Sequence, residues 1–166
     1  MQGAPAERLN TPDPSPVPPR PANSLATALR RMSWEVEPGS FALVAFHGPP
    51  RPEDLGALEG AGPAQVVREG GETTLLVRAD LLAPILARHP GAQVQPDLCW
   101  IRFRTPMGWD VVGFLALVSR ALADAGVPLG AVCGYSRDHV FIARVHLARA
   151  SAALAKLFPQ ADLGSA

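Results

Sequence analysis

Two arginines in the middle of the chain alternate with apolar residues. Arg102 and Arg104 flank Phe103, and Ile101 precedes them. Because the side chains of a strand alternate between its two faces, both guanidinium groups would lie on one face of a sheet. There they would either pair with acidic residues of the first half of the chain or hold a ligand carboxylate through two parallel hydrogen bonds.

The neighbouring residues Asp138 and His139 form a second candidate group. An imidazole next to a carboxylate could change its charge at about pH 6–7, and so sense protonation or hold a ligand carboxylate. A histidine tied into a turn by hydrogen bonds is the alternative. The remaining histidines lack the spacing of a zinc site, so we expect neither a metal nor a cofactor; they are His47, His89 and His146.

A third candidate lies at the start of a predicted helix over residues 110–125. Asp110 would cap this helix and Gly126 would end it. Gly113 in its first turn would let a small carboxylate approach the free backbone N–H groups, or would merely permit close packing on a sheet. The apolar residues of the helix recur on one face at helical spacing, which predicts that it anchors this half of the chain; they are Val111, Leu115, Val118 and Leu122.

These candidates belong to a predicted β-α-β-β-α succession in the second half of the chain. Such an order can place both helices on one face of a sheet and leave the other face free for a partner or ligand. The predicted strands are residues 99–104, 129–134 and 139–145, and the predicted helices are residues 110–125 and 147–157.

The first half of the chain has the same predicted order after a short helix. Ser24 and Asn23 are plausible caps for that helix, and Gly70-Gly71 between two β-type segments predicts a hairpin. The elements are a helix over 25–32, strands over 41–46, 64–68 and 74–78, one or two helical turns within 52–59, and a helix over 81–88 opened by Asp80.

The repeated order predicts an α+β protein of two tandem units that share a core, because each unit alone is marginal in size. Residues 1–22 contain seven prolines and few bulky apolar side chains, which predicts a disordered tail. We therefore divide the chain into a proline-rich tail (1–22), a first repeat with an N-terminal helix (23–97) and a second repeat (98–166).

Charge and cysteine content restrict the classes of function. The chain is neutral overall with a pI near 6.9, which argues against a nucleic-acid partner. Residues 41–97 carry four Arg against seven Asp and Glu, whereas residues 98–166 carry seven basic against four acidic residues, so the halves should attract each other. Cys99 and Cys133 are predicted to be buried free thiols, in keeping with the reducing cytoplasm, and we expect no membrane span.

The sequence gives little support for catalysis. Neither a nucleophile elbow nor a pair of carboxylates stands out, and there is no glycine-rich loop of the phosphate-binding or dinucleotide-binding kind. We therefore expect a protein that is not an enzyme, unless a partner chain supplies the missing groups.

Residues 23–158 resemble the small bacterial proteins of two tandem ACT domains and, more distantly, the ACT repeats of the cytosolic arginine sensors. The resemblance is carried by residues 29–41, by residues 67–73 and above all by residues 100–145. Within the last segment, Val112-Gly113-Phe114-Leu115-Ala116 is similar to the family's first-helix motif. Gly134-Tyr135 followed by Asp138-His139-Val140-Phe141 is similar to its turn between strands.

The resemblance implies a ferredoxin-like βαββαβ fold, a homodimer, and a small ligand, typically an amino acid, bound between repeats or subunits. The sequence departs from the family at Ala143, which replaces a proline, and at Arg137, which stands where the family turn has a first histidine. The Arg137 departure puts a metal or proton role of this turn in doubt. The ligand-binding residues predicted in this way are Arg104, Met107, Gly108, Trp109, Asp110, Val112, Gly113, Gly134, Tyr135, Asp138 and His139.

We therefore predict a cytoplasmic regulatory protein that binds a small molecule and neither nucleic acid nor membrane. One alternative is an adaptor that binds another protein through its free sheet face, without a small ligand. Another is an RNA-binding protein that uses Phe141 and Arg144 on an open sheet.

Overall fold

The computed structural model describes residues 24–56, 58–59 and 63–159. The predicted tail, residues 1–22, lies outside this range. The strands are β1 (Trp34–Val36), β2 (Phe41–His47), β3 (Gln65–Glu69), β4 (Glu72–Arg78), β5 (Gln93–Phe103), β6 (Gly130–Cys133) and β7 (Asp138–Ala143). The helices are α1 (Leu25–Arg31), α2 (Pro52–Gly56), α3 (Leu82–Arg88), α4 (Phe114–Asp124) and α5 (Leu147–Leu157).

The strands form one antiparallel sheet in the order β3-β4-β2-β5-β7-β6, with β1 also paired to β5. Residues 93–98 of β5 pair with β2, and residues 101–103 pair with β1. The long strand β5 therefore serves two units at once. The first unit runs βαββαβ along the chain, whereas the second runs βαββα and takes its fourth strand, β1, from an earlier part of the chain. Each has the ferredoxin-like strand order 4-1-3-2, so the predicted fold class is confirmed.

We name the two arrangements by their strands. The first unit consists of β2, α2, β3, β4, α3 and residues 93–98 of β5. The second unit consists of residues 98–103 of β5, then α4, β6, β7 and α5, with β1 as its fourth strand. The predicted boundary between residues 97 and 98 falls inside β5, and the division of the chain at that point stays a prediction.

The second unit has the larger core, and residues from the N-terminal side of the chain contribute to it. Trp34 of β1 is buried there, together with Ala28 and Met32. Helix α1 is held at its start by Ser24, whose side chain accepts a hydrogen bond from the backbone N–H of Thr27. Buried side chains from β5, α4, β7 and α5, and Phe158 just after α5, complete the core; those in the elements include Ile101, Phe103, Phe114, Val118, Leu122, Ile142 and Leu154.

The first unit has a smaller core between its strands and α3. Val44, Phe46, Leu75, Val77 and Ile85 are its buried members. The hairpin between β3 and β4 turns at Gly70 and Gly71, whose φ angles are +55° and +87°. Such positive φ angles favour glycine, which confirms the predicted hairpin turn.

The opposite face of the sheet carries a third cluster, which consists of strand residues alone. Phe41, Leu76, Leu98 and Trp100 are buried there, and Leu43, Val132, Phe141 and Ala143 are partly buried beside them. We call this set the strand-face cluster. The sequence predicts a face free for a partner, and the structure shows four large apolar side chains buried on this face.

The start of α4 differs from the prediction. The helix begins at Phe114 rather than Asp110, and Gly113 is its N-cap with a φ angle of +96°. Because a residue with positive φ does not continue a right-handed helix, residues 104–113 form a loop instead. Asp110 is exposed in that loop and Val111 is not helical. The predicted end of the helix is confirmed, since Gly126 follows it with a φ angle of +66°.

Two further predictions are wrong in detail. Asp80 does not cap a helix, because residues Ala79–Leu81 form a 3₁₀ turn and Asp80 pairs with Arg78 at 3.2 Å instead. Cys133 is exposed, since β6 is an edge strand and this side chain lies on an uncovered surface, whereas Cys99 is buried as predicted. Strand β7 separates the two cysteine-bearing strands, in agreement with the prediction that no disulfide forms.

Replacing Gly113 with alanine should lower the free energy of unfolding by about 1–3 kcal/mol, because a side chain there would be forced into a disfavoured backbone conformation. Its Cβ would also lie 3.4 Å from Cδ2 of Leu25. Denaturant unfolding measures the loss. Gly91→Ala is the matched control, since its Cβ would meet nothing within 4 Å. Equal stability of both variants would contradict the prediction.

Candidate functional site

A cavity of about 160 Å³ lies in the second unit, where the loop before α4 faces the turn between β6 and β7. The loop contributes one wall and the turn contributes the other. The lining residues are Met107, Gly108, Trp109, Val111 and Phe114 on the first side, and Gly134, Tyr135, Ser136, Arg137 and Asp138 on the second.

Hydrogen bonds join the two walls and close the turn. The Met107 N–H donates to the Ser136 carbonyl of the opposite wall at 2.9 Å, and the Gly134 N–H donates to the Arg137 carbonyl within the turn at 2.9 Å. The guanidinium of Arg137 reaches across and donates from Nε to the Arg104 carbonyl at 2.9 Å. The cavity is therefore a built feature of this loop and turn.

The equivalent region of the first unit has a shorter loop, which hydrogen bonds tie to the turn between β3 and β4. Only four residues separate β2 from α2, whereas ten residues separate β5 from α4. The Gly48 N–H donates to the Gly71 carbonyl at 2.7 Å, and the Thr73 hydroxyl donates to the Gly48 carbonyl at 2.6 Å. The longer loop of the second unit, residues 104–113, thus accounts for the difference between the two units.

The predicted ligand-binding residues fall into two groups. Six of them line the cavity, namely Met107, Gly108, Trp109, Gly134, Tyr135 and Asp138. The other five, Arg104, Asp110, Val112, Gly113 and His139, do not line it. Sequence reasoning did not include the remaining lining residues, Val111, Phe114, Ser136 and Arg137. The sequence feature that could have indicated these four residues is their position beside the predicted motifs.

Arg102 and Arg104 lie on one face of β5 and form ion pairs. Arg102 Nη2 lies 2.7 Å from a carboxylate oxygen of Glu37, and Arg104 Nη1 lies 2.9 Å from Glu35. The expected ion pairing of these arginines within the chain is thus observed. Their acidic partners lie on β1 and just after it, and not in residues 41–97. Asp97 of that segment pairs with the second half, with a carboxylate oxygen 2.8 Å from Nε of Arg144.

His139 is half-buried against the strand-face cluster, with its ring edge-on to Trp100 at 5.5 Å between centroids. Its Nδ1 is buried and has no hydrogen-bond partner among the described residues. Burial lowers the pKa of His139 below its ordinary value, and the charges of Arg102 and Arg137 lower it further. These surroundings favour the neutral ring, and which of the two expected roles His139 has stays a prediction.

Asp138 is the half-buried carboxyl group of the cavity. Burial raises its pKa above the ordinary value, and a hydrogen bond with the Cys133 thiol offsets part of this shift. A carboxyl group in such surroundings gains from a cationic partner, because a nearby positive charge favours the ionised form. Asp138 is therefore suited to hold a ligand ammonium group.

The structure also shows a buried polar cluster that sequence reasoning missed. Asp54 is fully buried, and His89 Nε2–H donates to its Oδ2 at 2.7 Å. Arg88 donates from Nε to Oδ1 at 2.8 Å, and the Arg51 backbone N–H donates to Oδ2 at 2.8 Å. The ring of His89 also stacks on Phe46 with centroids 3.7 Å apart. The sequence feature that could have indicated this cluster is an acidic residue in the first turn of α2.

The residues suggested for RNA binding are engaged elsewhere. Phe141 packs beside Trp100 and lies over Gly130, where an added Cβ would overlap its ring. Arg144 is bound to Asp97 and also donates to the Gly39 carbonyl at 2.6 Å. The described part of the chain contains no group of three or more His, Cys, Asp and Glu side chains placed to hold a metal ion.

Across residues 24–56, 58–59 and 63–159, no helix is both long and apolar enough to span a membrane. Residues 93–156, which include both walls of the cavity, match the family model of the ACT domain. No curated protein matches the chain.

Solved structures resemble this chain over most of its length. Protein Atu0741 from Agrobacterium tumefaciens aligns with a TM-score of 0.64 and 19% identity, over 76% of this chain and 89% of that one. Protein VC0802 from Vibrio cholerae, of unknown function and a possible transport protein, aligns with a TM-score of 0.58 and 23% identity, over 78% and 91%.

The regulatory subunit of aspartate kinase from Thermus thermophilus also aligns, with a TM-score of 0.56 and 17% identity, over 75% of this chain and 96% of that one. The resemblance to small proteins of unassigned function and to ACT domains is thus observed, whereas that to the arginine sensors stays a prediction. Residues 93–156 match an ACT domain, and the fold of the chain is ferredoxin-like.

Proposed function

We propose that this chain is a non-catalytic regulatory protein of the cytoplasm that binds a small ligand, an amino acid, at the cavity of the second unit. The observation that carries the proposal is the position of this cavity. It lies in the segment that matches an ACT domain, and only this unit has the long loop that opens it. ACT domains are regulatory and bind small ligands such as amino acids.

The chemistry of the walls supports an amino acid as the ligand. Asp138 offers a carboxyl group to an ammonium group, and Trp109 and Tyr135 offer aromatic faces beside it. Drug-sized ligands occupy pockets of roughly 300–1,000 Å³, so a cavity of about 160 Å³ suits a much smaller molecule. A single amino acid of modest size, partly exposed at the mouth, has both the ammonium group and the small volume that this cavity suits.

We further propose a homodimer in which the ligand is held where subunits or repeats meet. The described lining residues all belong to the second unit, so a second subunit would have to close the mouth of the cavity. Ligand binding at such a place would change the dimer or partner equilibrium by about 1–3 kcal/mol, the usual range of coupling energies. Analytical ultracentrifugation with and without ligand measures this coupling.

A thermal-shift screen of the full chain against the twenty amino acids and common nucleotides tests the ligand. At 100 times its Kd, a ligand should stabilise the protein by about 2.7 kcal/mol. For a chain of this size, each kcal/mol raises the midpoint by about 2–4 °C. Asp138→Asn should remove the shift, whereas Asp110→Asn should keep it, because Asp110 is exposed and does not line the cavity.

An adaptor function is the second candidate, because large apolar side chains are exposed around the cavity. Trp109, Val112 and Tyr135 are 80%, 83% and 70% exposed. Apolar patches of this kind mark surfaces that bind other proteins. Cooperative melting without any ligand-dependent shift would contradict the ligand proposal and favour the adaptor.

A further inference from the structure

Two consecutive residues of the chain place opposite charges on the same wall of the cavity. They are Arg137 and Asp138, and both line it. Arginine is always protonated in proteins, and the half-buried carboxyl group of Asp138 gains from a cationic partner. Within the described part of the chain, neither residue forms an ion pair, with the other or with a third residue. The wall therefore suits a ligand that carries both charges.

The guanidinium of Arg137 is oriented by a hydrogen bond within the chain. Its Nε donates to the Arg104 carbonyl at 2.9 Å, which restricts the side chain. Its two Nη atoms carry the other four N–H groups, which can hold both oxygens of a carboxylate through parallel hydrogen bonds. Arg102 and Arg104 are less suited to this role, because their guanidinium groups are paired with Glu37 and Glu35.

An α-amino acid carries its carboxylate and its ammonium group on the same carbon atom. Because Arg137 and Asp138 are consecutive and line one wall, their side chains can meet these two groups at one end of the ligand. Each charge of the ligand would then have a partner, which avoids the cost of taking an unpaired charge out of water. This wall therefore suits the part that all amino acids share, and leaves the side chain for the opposite wall.

The opposite wall, which belongs to the loop before α4, consists of uncharged residues. They are Met107, Gly108, Trp109, Val111 and Phe114. Met107 and Phe114 are buried, and an apolar ligand side chain packed on them would be removed from water, which favours binding. A second ammonium group, a guanidinium or a second carboxylate would lose its hydration there and find no opposite charge on this wall.

We propose that the ligand is an amino acid with an uncharged, apolar side chain, and that Arg137 determines the requirement for its carboxylate. This inference rests on the proposed function, because it names the class of amino acid bound at the same cavity. Asp138 holds the ammonium group, and the uncharged loop wall selects the side chain. Basic amino acids, such as lysine and arginine, and acidic amino acids are rejected by that wall.

Isothermal titration calorimetry of the full chain at neutral pH tests both parts of the proposal with two pairs of probes. L-Leucine and L-leucinamide differ in the carboxylate, which the amide replaces with a neutral group of similar shape. L-Norleucine and L-lysine share an unbranched side chain and differ in the terminal ammonium group of lysine. In each pair, the first compound should bind about tenfold more tightly or better, the effect of one charged group that gains or lacks its partner.

Substitution of Arg137 separates its role from that of the rest of the cavity. Arg137→Met should abolish the preference for leucine over leucinamide, whereas Arg120→Met should keep it. Arg120 is the matched control, because it is an exposed arginine of α4 that pairs with Asp124 and does not line the cavity. Arg137→Lys keeps the charge but loses the two parallel hydrogen bonds, so it should retain part of the preference.

The melting midpoint without ligand shows whether each variant is folded. If Arg137→Met does not fold, the preference of the unmodified chain and its decrease in Arg137→Lys still test the proposal. Equal affinity of the unmodified chain for leucine and leucinamide, or a full preference that survives in a folded Arg137 variant, would overturn the role of Arg137.

Failure of this proposal can be distinguished from failure of the proposed function. Lysine that binds as tightly as norleucine would overturn the apolar class but leave the proposed function intact. Binding of a polar amino acid, when neither leucine nor norleucine binds, would do the same. A chain that no amino acid stabilises in the thermal-shift screen would contradict the proposed function, and this proposal with it.

Discussion

Replacing Asp54 with alanine is expected to lower the free energy of unfolding by about 3–5 kcal/mol, the range seen when one partner of a buried ion pair is removed. Asp54 is fully buried and accepts hydrogen bonds from His89, Arg88 and the Arg51 backbone. Its removal would leave these donors without an acceptor inside the first unit. Urea unfolding followed by circular dichroism measures the loss.

Asp80→Ala is the matched control for this experiment. Asp80 also pairs with an arginine, Arg78, but both side chains are largely exposed at 62% and 43%. Exposed ion pairs contribute about 0–1 kcal/mol, so the control should remain close to the parent. Losses of similar size in the two variants would show that burial of Asp54 does not determine its contribution.

The contribution of Asp54 should also depend on pH. Burial by itself raises the pKa of Asp54, but the hydrogen bonds from His89, Arg51 and Arg88 outweigh this effect and lower it below the ordinary value. Stability from a carboxyl group with a lowered pKa is fully present above its unfolded pKa of about 3.9 and is lost as the pH falls through the folded value. The difference in unfolding free energy between the parent and Asp54→Asn should therefore narrow only under acidic conditions.

Replacing Trp34 with alanine should cost about 3–5 kcal/mol of unfolding free energy, as for other buried aromatic residues. Trp34 is 3% exposed and belongs to the core of the second unit, and its strand pairs with Phe103 of β5. This loss of stability would show that β1, although it precedes the other strands in the chain, completes the second unit, which is formed mainly by residues beyond 98.

Trp109→Ala is the control for this prediction, because it removes the same side chain from an 80% exposed position. Exposed substitutions outside special features usually change stability by no more than about 0.5 kcal/mol. Trp34→Phe should recover part of the stability lost in Trp34→Ala. A stable Trp34→Ala variant would mean that β1 contributes little to the second unit.

Much of the fold could be predicted from the sequence because its elements are marked by local signals. The bounds of α5 agree with the prediction, and the hairpin at Gly70 and Gly71 follows from glycine conformation. The position of β1 in the sheet could not be predicted from local signals, because a strand of three residues shows no clear periodicity. Its pairing with β5 depends on contacts between residues 65 to 69 positions apart, such as Glu35 and Arg102.

The candidate site was predicted in part for the same reason. The family resemblance predicted residues of the loop and of the turn, and six of the eleven line the cavity. The conformation of Gly113 could not be predicted from helical spacing, which placed it inside a helix rather than before one. The cluster of Asp54 and His89 was missed because its members are 35 positions apart and meet only after folding.

The shared strand β5 links the conformations of the two units. A strand alternates its side chains with a period of two, so a slip of one residue would turn Val94 away from the first core and Ile101 away from the second at the same moment. A register shift lies beside Asp97, whose φ angle is +54°, at the point where the strand passes from one unit to the other. Because this irregularity adds one residue to β5 between Val94 and Ile101, it lets each of these side chains face the core of its own unit. Deletion of one residue between them would turn one of the two side chains to the other face of the sheet.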